Sequence, residues 1–315
     1  MKVLITGGAG FIGSHFVESL QDQAQEIRVL DNLETGLLSN LEPFRHRFIE
    51  GSICDSKRVS EAMEAIDLVI HCAALASVPD CIAQPQKCSE VNIAGLETVL
   101  STAAKHKVTQ FAFLSSAAVY GSSPLLPTTE DCPLRPANPY AVSKAQGEEL
   151  VCRYHAGSDL TAKSFRLFNV YGPRQNPNGG YAAAIPRLIS QALTNESITI
   201  HGSGEQTRDF VFVADVISAV LSSLGNVELR EPINLGTGAP VSILQLVAQI
   251  STLTDSSSPT IFEASRDGDS AHSCANIDRL ASTGWRPSTS LHAGLQTTIA
   301  WQKLAKTVKR AKPSV

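Results

Sequence analysis

Thr6-Gly7-Gly8-Ala9-Gly10-Phe11-Ile12-Gly13 follows directly on the short apolar run Lys2–Thr6 and opens a helical stretch, Phe11–Gln21. A strand, a glycine-rich turn and a helix in that order are the start of a parallel α/β sheet. Glycine at 7, 10 and 13 supplies what a diphosphate needs at the mouth of a helix. One makes the turn, one lets backbone N–H groups approach the oxygens, and one lets the helix lie close on the strand. The helix N-terminus adds unpaired donors and a favourable dipole. The spacing is GxxGxxG, not the commoner GxGxxG, and a glycine cluster alone would be only a turn.

The second strand, Glu26–Asp31 (EIRVLD), supplies the missing context by ending on an acidic residue. Asp31 lies 18 residues beyond Gly13, near the spacing of about 20 at which a carboxylate accepts the ribose hydroxyls of a dinucleotide. It would also repel a 2′-phosphate, and Asn32 and Leu33 bring no basic side chain, so NAD is favoured over NADP. Further strands are expected at Arg47–Glu50, Asp67–His71, Gln110–Ser115 and Ala162–Leu167. Helices are expected at Ser56–Ala65, Glu90–Lys105 and Pro139–His155. Elements alternating at these lengths pair in parallel through right-handed crossovers, which predicts a doubly wound α/β sheet. After Phe168, glycine and proline become frequent and segments shorten, which predicts a smaller second region. The expected division gives 1–167 plus about 211–236 to a nucleotide-binding domain and 168–210 plus 237–315 to a substrate domain. Val211–Leu224 and Pro232–Leu235 are expected to return to the sheet.

Asn138-Pro139-Tyr140-Ala141-Val142-Ser143-Lys144 opens a helix, with Asn138 a good N-cap and Pro139 suited to the first helical position. Tyr140 and Lys144, four apart, share one face. A phenol titrates near 10, and a neighbouring ammonium plus a nicotinamide cation are expected to lower it toward neutrality. It would then take a proton from a hydroxyl as its hydride leaves. Ser115-Ser116-Ala117-Ala118-Val119-Tyr120-Gly121 follows an apolar strand, and a hydroxyl at the carboxyl end of a parallel strand points into the ligand crevice. Ser116 is therefore expected to share its ligand oxygen with Tyr140.

A chain of 315 residues, 43% hydrophobic and 18% charged, can bury a sizeable core. Its formal net charge of −4 argues against nucleic acid as a partner. The basic tail, with Lys303, Lys306, Lys309, Arg310 and Lys312, reads as a solvated helix end. Seven scattered cysteines without a CxxC pair suit free thiols in a reducing cytoplasm. No apolar run approaches a membrane span, and the N-terminus reads as a strand, so no membrane association is expected. His71, His201 and His272 lack metal-ligand spacing, and no metal is expected.

Together, TGGAGFIG, Asp31-Asn32, His71-Cys72-Ala73-Ala74, Asn92, SSAAVYG and Tyr140/Lys144 resemble the extended short-chain dehydrogenase/reductase family over essentially the whole chain. The nearest branch is that of the UDP-sugar 4-epimerases, particularly those acting on UDP-N-acetylglucosamine. The resemblance implies a Rossmann-type sheet with a smaller α/β substrate-binding domain, NAD as cofactor and a homodimer through Glu90–Lys105 and Pro139–His155. It implies that Ser116, Tyr140 and Lys144 are catalytic, with Lys144 also on the nicotinamide ribose. Gly7, Gly10, Phe11, Ile12, Gly13, Asp31 and Asn32 would hold the dinucleotide. Ile53 and Asp55 would flank the adenine, and Ala73, Ala74 and Asn92 would line the cofactor path. Asn169 would meet the substrate pyrophosphate, and Ala183 and Ala184 the uridine. Arg208 and Arg266 would bind the diphosphate, Asp269 the uridine ribose, and Ser77 would face the sugar. Ser273 falls where the family carries the residue that limits space around C2, and a small side chain there leaves room for an N-acetyl group.

Three reactions of the family share oxidation at C4. The similar dehydratases carry Asp-Glu after the hydroxyl residue, and UDP-glucuronate decarboxylases carry a Glu there. This chain has Ala117-Ala118, so elimination lacks its catalyst and return of the hydride is expected. A UDP-hexose 4-epimerase is thus the expected function. A UDP-glucuronate 4-epimerase, or a dehydratase or decarboxylase, stands as the enzymatic alternative, and an NAD-binding sensor as the non-catalytic one.

Overall fold

The protein is described here by a computed structural model, which covers residues 1–122, 125–177, 183–226, 229, 232–265 and 270–311. Six strands, β1 (Lys2–Thr6), β2 (Glu26–Asp31), β3 (Arg47–Glu50), β4 (Leu68–His71), β5 (Gln110–Ser116) and β6 (Thr161–Leu167), form a parallel sheet with Ile233–Leu235. The order is Ile233–Leu235, β6, β5, β4, β1, β2, β3. The direction of winding therefore reverses between β1 and β4, which both pair with register neighbours in parallel. Such a switch point opens a crevice at the carboxyl ends of the strands.

Continuous apolar runs make these strands because helices cover both faces. In β1, Val3 and Ile5 join one core and Leu4 the other. Helix α1 (Phe11–Leu20) and the Val213–Leu224 helix pack against each other on the first face, while Ser56–Met63 and Leu96–Lys105 pack together on the second. Asn138 caps the Pro139–Gly157 helix by accepting the Ala141 N–H at 2.9 Å.

Two segments differ from the sequence expectation. Glu90–Lys105 is not one regular helix. Glu90–Gly95 forms a π-helical turn, and only Leu96–Lys105 is α-helical. The cause is local. The Asn92 side chain bonds outward to a loop, and Gly95 lies so close to Ile53 that a Cβ would meet its Cδ1 at 2.7 Å. Of the two segments expected back at the sheet, Ile233–Leu235 joins it as an edge strand and Val213–Leu224 covers it as a helix. The remaining chain adds small paired strands, Asn169–Tyr171 with Phe210–Phe212, Thr207–Arg208 with Val241–Ser242, and Ile198–His201 with Thr260–Glu263. Among the described residues no helix is long and apolar enough to cross a membrane.

Candidate active site

The glycine turn is tightly determined. Gly7 takes φ +67°, and a Cβ there would stand 2.6 Å from the Ala73 nitrogen, so the turn presses on the chain leaving β4. A Cβ on Gly13 would fall 2.3 Å from the Gly7 carbonyl oxygen. Helix α1 starts at Phe11 with Gly10 as its N-cap and no side chain capping it. The first peptide N–H groups, at Phe11 and Ile12, are thus left for a ligand.

Asp31 is buried at the end of β2. Its Oδ2 accepts the Ala9 N–H at 2.9 Å and its Oδ1 the Leu33 N–H at 2.8 Å. Burial raises its carboxyl pKa, and the two peptide donors pull against that rise. Each oxygen keeps lone-pair capacity for a ribose hydroxyl. Asn32 is exposed, and its Oδ1 accepts the Glu34 N–H at 3.3 Å. A cradle that a Cβ would fill, an uncapped helix and a buried carboxylate fit a dinucleotide with a free 2′-hydroxyl.

Around that cradle, Ile53 is buried in the core, and Asp55 caps the Ser56–Met63 helix by accepting the Lys57 N–H at 2.9 Å. Asn92 is a cross-brace. Its Oδ1 accepts the Leu75 N–H (2.8 Å), while its Nδ2 donates to the Leu75 carbonyl (3.1 Å) and the Ser143 hydroxyl (3.0 Å). It thereby ties the Ala73-Ala74-Leu75 loop to the helix that carries Tyr140 and Lys144.

Ser116 ends β5, and its hydroxyl accepts the Ala118 N–H at 3.2 Å and hydrogen-bonds Tyr140. Lys144 Nζ donates to the Leu114 carbonyl at 2.7 Å and lies 5.9 Å from the Tyr140 ring centroid. Burial pushes Lys144 down to about 8. Burial also pushes the Tyr140 phenol up to about 12, and the Ser116 hydrogen bond offsets only part of that rise. The ammonium is too distant to outweigh desolvation, so the further lowering must come with a bound cation.

Neighbouring ionisable groups are committed elsewhere. His71 is buried, held neutral by a pKa pushed down to about 3 through desolvation and then the Lys144 charge, and shares a 2.9 Å hydrogen bond with Thr6. Burial pushes the Cys72 thiol well above its ordinary range. Behind Ser116, Glu148 takes a forked pair of bonds from Arg166 (Nη2 to Oε2, 2.7 Å; Nε to Oε1, 3.0 Å) and the Ser115 hydroxyl at 2.5 Å. Glu130 accepts the Asn234 N–H at 3.0 Å and faces Arg279.

A cleft of about 330 Å3 is lined by Asn169, Ala183, Ala184 and Arg208, together with Ala76 and Gln175. Ser77, beside Ala76, caps the Val78–Ala83 helix by accepting the Asp80 N–H at 3.3 Å. Ser273 donates its N–H to the Thr207 carbonyl at 3.1 Å, next to Arg208. Arg266 and Asp269 lie outside the described residues. Sequence reading passed over Gln175. Its Nε2 donates to the Val170 carbonyl at 3.2 Å, while its Oε1 is buried with no hydrogen-bond partner among the described residues. A buried acceptor without a partner costs free energy until a donor reaches it. A larger cavity, about 630 Å3, lies between α1 and the Leu291–Ala311 helix and touches none of the predicted site residues.

The model of the NAD dependent epimerase/dehydratase family matches residues 3–236. The chain is 35% identical over 304 residues to a putative UDP-glucose 4-epimerase of Methanocaldococcus jannaschii, covering 96% of this chain and 98% of that one. It is also 35% identical over 318 residues to the dTDP-D-glucose 4,6-dehydratase of Mus musculus, covering 96% and 88%. Among solved structures, the UDP-N-acetylglucosamine 4-epimerase of Methanobrevibacter ruminantium M1, in complex with UDP-N-acetylmuramic acid, superposes with a TM-score of 0.91 at 34% identity, covering 96% and 98%.

Proposed function

The chain belongs to the NAD dependent epimerase/dehydratase family, and we propose that it is a UDP-hexose 4-epimerase. It interconverts UDP-N-acetylglucosamine with UDP-N-acetylgalactosamine, UDP-glucose with UDP-galactose, or both pairs. One observation carries the choice of reaction. The turn after Ser116 is Ala117-Ala118, and the carboxylates behind it, Glu130 and Glu148, are held in buried hydrogen-bonded pairs. Elimination of water or loss of a carboxyl group needs a positioned acid or base, and this turn offers none.

Bound NAD supplies the hydride acceptor and donor for the sugar C4. Gly7, Gly10, Phe11, Ile12 and Gly13 hold its diphosphate and Asp31 its adenosine ribose, with Asn32, Ile53 and Asp55 toward the adenine. Ala73, Ala74 and Asn92 shape the path toward the nicotinamide. Tyr140, hydrogen-bonded to Ser116, takes the proton of the 4-hydroxyl and later returns it. Lys144 keeps a positive charge beside the phenol and fixes its own position on the Leu114 carbonyl. Asn169, Ala183, Ala184 and Arg208, with Arg266 and Asp269, anchor the UDP moiety in the cleft. Segments 168–210 and 237–315 thus form the sugar-nucleotide side. Strong anchoring of the nucleotide and few contacts to the hexose let a 4-keto sugar turn over about its phosphate linkage. Ser77 and Ser273 face that sugar, and the small Ser273 favours an N-acetyl group at C2. The reading includes a homodimer through the Leu96–Lys105 and Pro139–Gly157 helices, which pack side by side.

The kinship with a 4,6-dehydratase gives the second reading its support. Proton NMR separates the two. Purified protein with added NAD is incubated in separate tubes with UDP-N-acetylglucosamine, UDP-glucose and UDP-glucuronate. New galacto-type anomeric signals are expected from the first, the second or both. Galacto-type signals from the glucuronate alone would move the assignment to a uronate epimerase. A 6-deoxy methyl doublet, or loss of the uronate carboxyl group, would replace it by a dehydratase or decarboxylase. No change in any tube would leave a sensor.

A further inference from the structure

Arg174 lines the larger cavity beside α1, together with His15, Glu18 and Pro173, and no step above uses it. Its backbone takes φ +66°, a left-handed conformation disfavoured for any residue with a Cβ. Its side chain is only 10% exposed and forms an ion pair with Glu18 on α1. The guanidinium also bonds His15 of α1 and lies 5.3 Å from the Phe44 ring centroid. His15 in turn shares a 3.0 Å hydrogen bond with the Pro173 carbonyl. Loop residues 173 and 174 are thus fastened to the helix whose opposite end forms the diphosphate cradle. The next residue is Gln175, which lines the cleft and whose Oε1 is buried with no hydrogen-bond partner among the described residues. A left-handed residue turns the chain sharply, so the direction in which Gln175 leaves depends on Arg174 keeping that conformation.

We propose that Arg174 is a positioning residue, clamped by Glu18 and His15, that holds Gln175 in the wall of the cleft against the bound sugar nucleotide. The inference rests on reading the cleft as the sugar-nucleotide site. Without the clamp, residue 174 relaxes toward an ordinary backbone conformation and Gln175 loses its aim. Neither Arg174 nor Glu18 need touch a ligand for this to hold.

The test uses full-length protein with NAD and UDP-N-acetylglucosamine, or whichever UDP-sugar turns over, and compares R174A, E18Q, Q175A and the double variant R174A/Q175A. Loss of one hydrogen bond is worth about fivefold to tenfold in affinity. R174A and Q175A should each raise KM by about that factor, and E18Q by less. In all of them kcat should stay within about threefold, with NAD affinity measured by titration and thermal stability near wild type. The double variant should be no worse than Q175A, because Arg174 acts through Gln175. Additive losses in the double variant would overturn the proposal, as would an unchanged KM in R174A beside a raised one in Q175A. A raised KM in R174A with none in Q175A would also overturn it, leaving the cleft assignment standing. Failure of wild-type protein to bind UDP would instead remove the cleft assignment itself, and the proposal with it.

Discussion

Replacing Gly13 by alanine tests the cofactor cradle with a magnitude that the geometry supplies. The new Cβ would stand 2.3 Å from the Gly7 carbonyl oxygen and 2.7 Å from the Gly8 Cα, both of them backbone atoms that cannot swing aside. Real Cβ contacts essentially never fall under 3.0 Å, so α1 and the turn must part by at least 0.7 Å. N–H···O bonds span only about 2.7–3.2 Å, so a shift of that size carries the Phe11 and Ile12 peptides out of reach of a diphosphate. Losing two charge-assisted bonds costs about 3 kcal/mol or more, which weakens NAD binding about 100-fold. Overpacking adds about 1–3 kcal/mol of lost stability. Gly10→Ala is the internal control, because its Cβ would meet the same oxygen at 3.1 Å and needs only a few tenths of an ångström of relief. Calorimetric titration of NAD into stripped protein, with thermal unfolding beside it, measures both effects. Gly13→Ala binding NAD within about threefold of Gly10→Ala would refute the reasoning.

Further outcomes follow from the site. Tyr140→Phe should lower turnover by at least about 100-fold while NAD binding, followed by titration, stays intact. Lys144 is pushed down to about 8, so its positive charge is present below that pH and lost above it. The alkaline limb of the kcat profile should therefore fall near pH 8. In NAD-free protein burial pushes the Tyr140 phenol up to about 12, so the ultraviolet difference between wild type and Tyr140→Phe should show no phenolate at neutral pH. A phenolate signal there would contradict the burial argument. Glu148→Ala strands the buried Arg166 cation and should cost about 3–5 kcal/mol of stability in urea unfolding, whereas Ser115→Ala should cost about 1 kcal/mol.

Much of this site was legible because its signals are local. The strand, turn and helix around Gly7–Gly13, the acid at Asp31, and the Asn138-Pro139 start of the Tyr140 helix each follow from neighbouring residues. What escaped depends on long-range contacts. The π-helical turn at Glu90–Gly95 exists because Asn92 bonds Leu75, 17 residues away in the chain. Gln175 stands out only once its oxygen is found buried without a partner among the described residues, which no spacing reveals. Sequence likewise shows the helical neighbour of Tyr140 at Lys144, but not the burial that pushes the phenol up in the absence of a cofactor. Ser77 and Asp55 attract notice as candidate ligand residues, yet each first satisfies the backbone of its own helix.

Transient oxidation at C4 with return of the same hydride is tested most directly by substrate carrying deuterium at C4. With NAD in catalytic amount, the account predicts a galacto-configured product that keeps its deuterium at C4 and none in the solvent. Deuterium washed out to water, or found in a 6-deoxy methyl group, would contradict it.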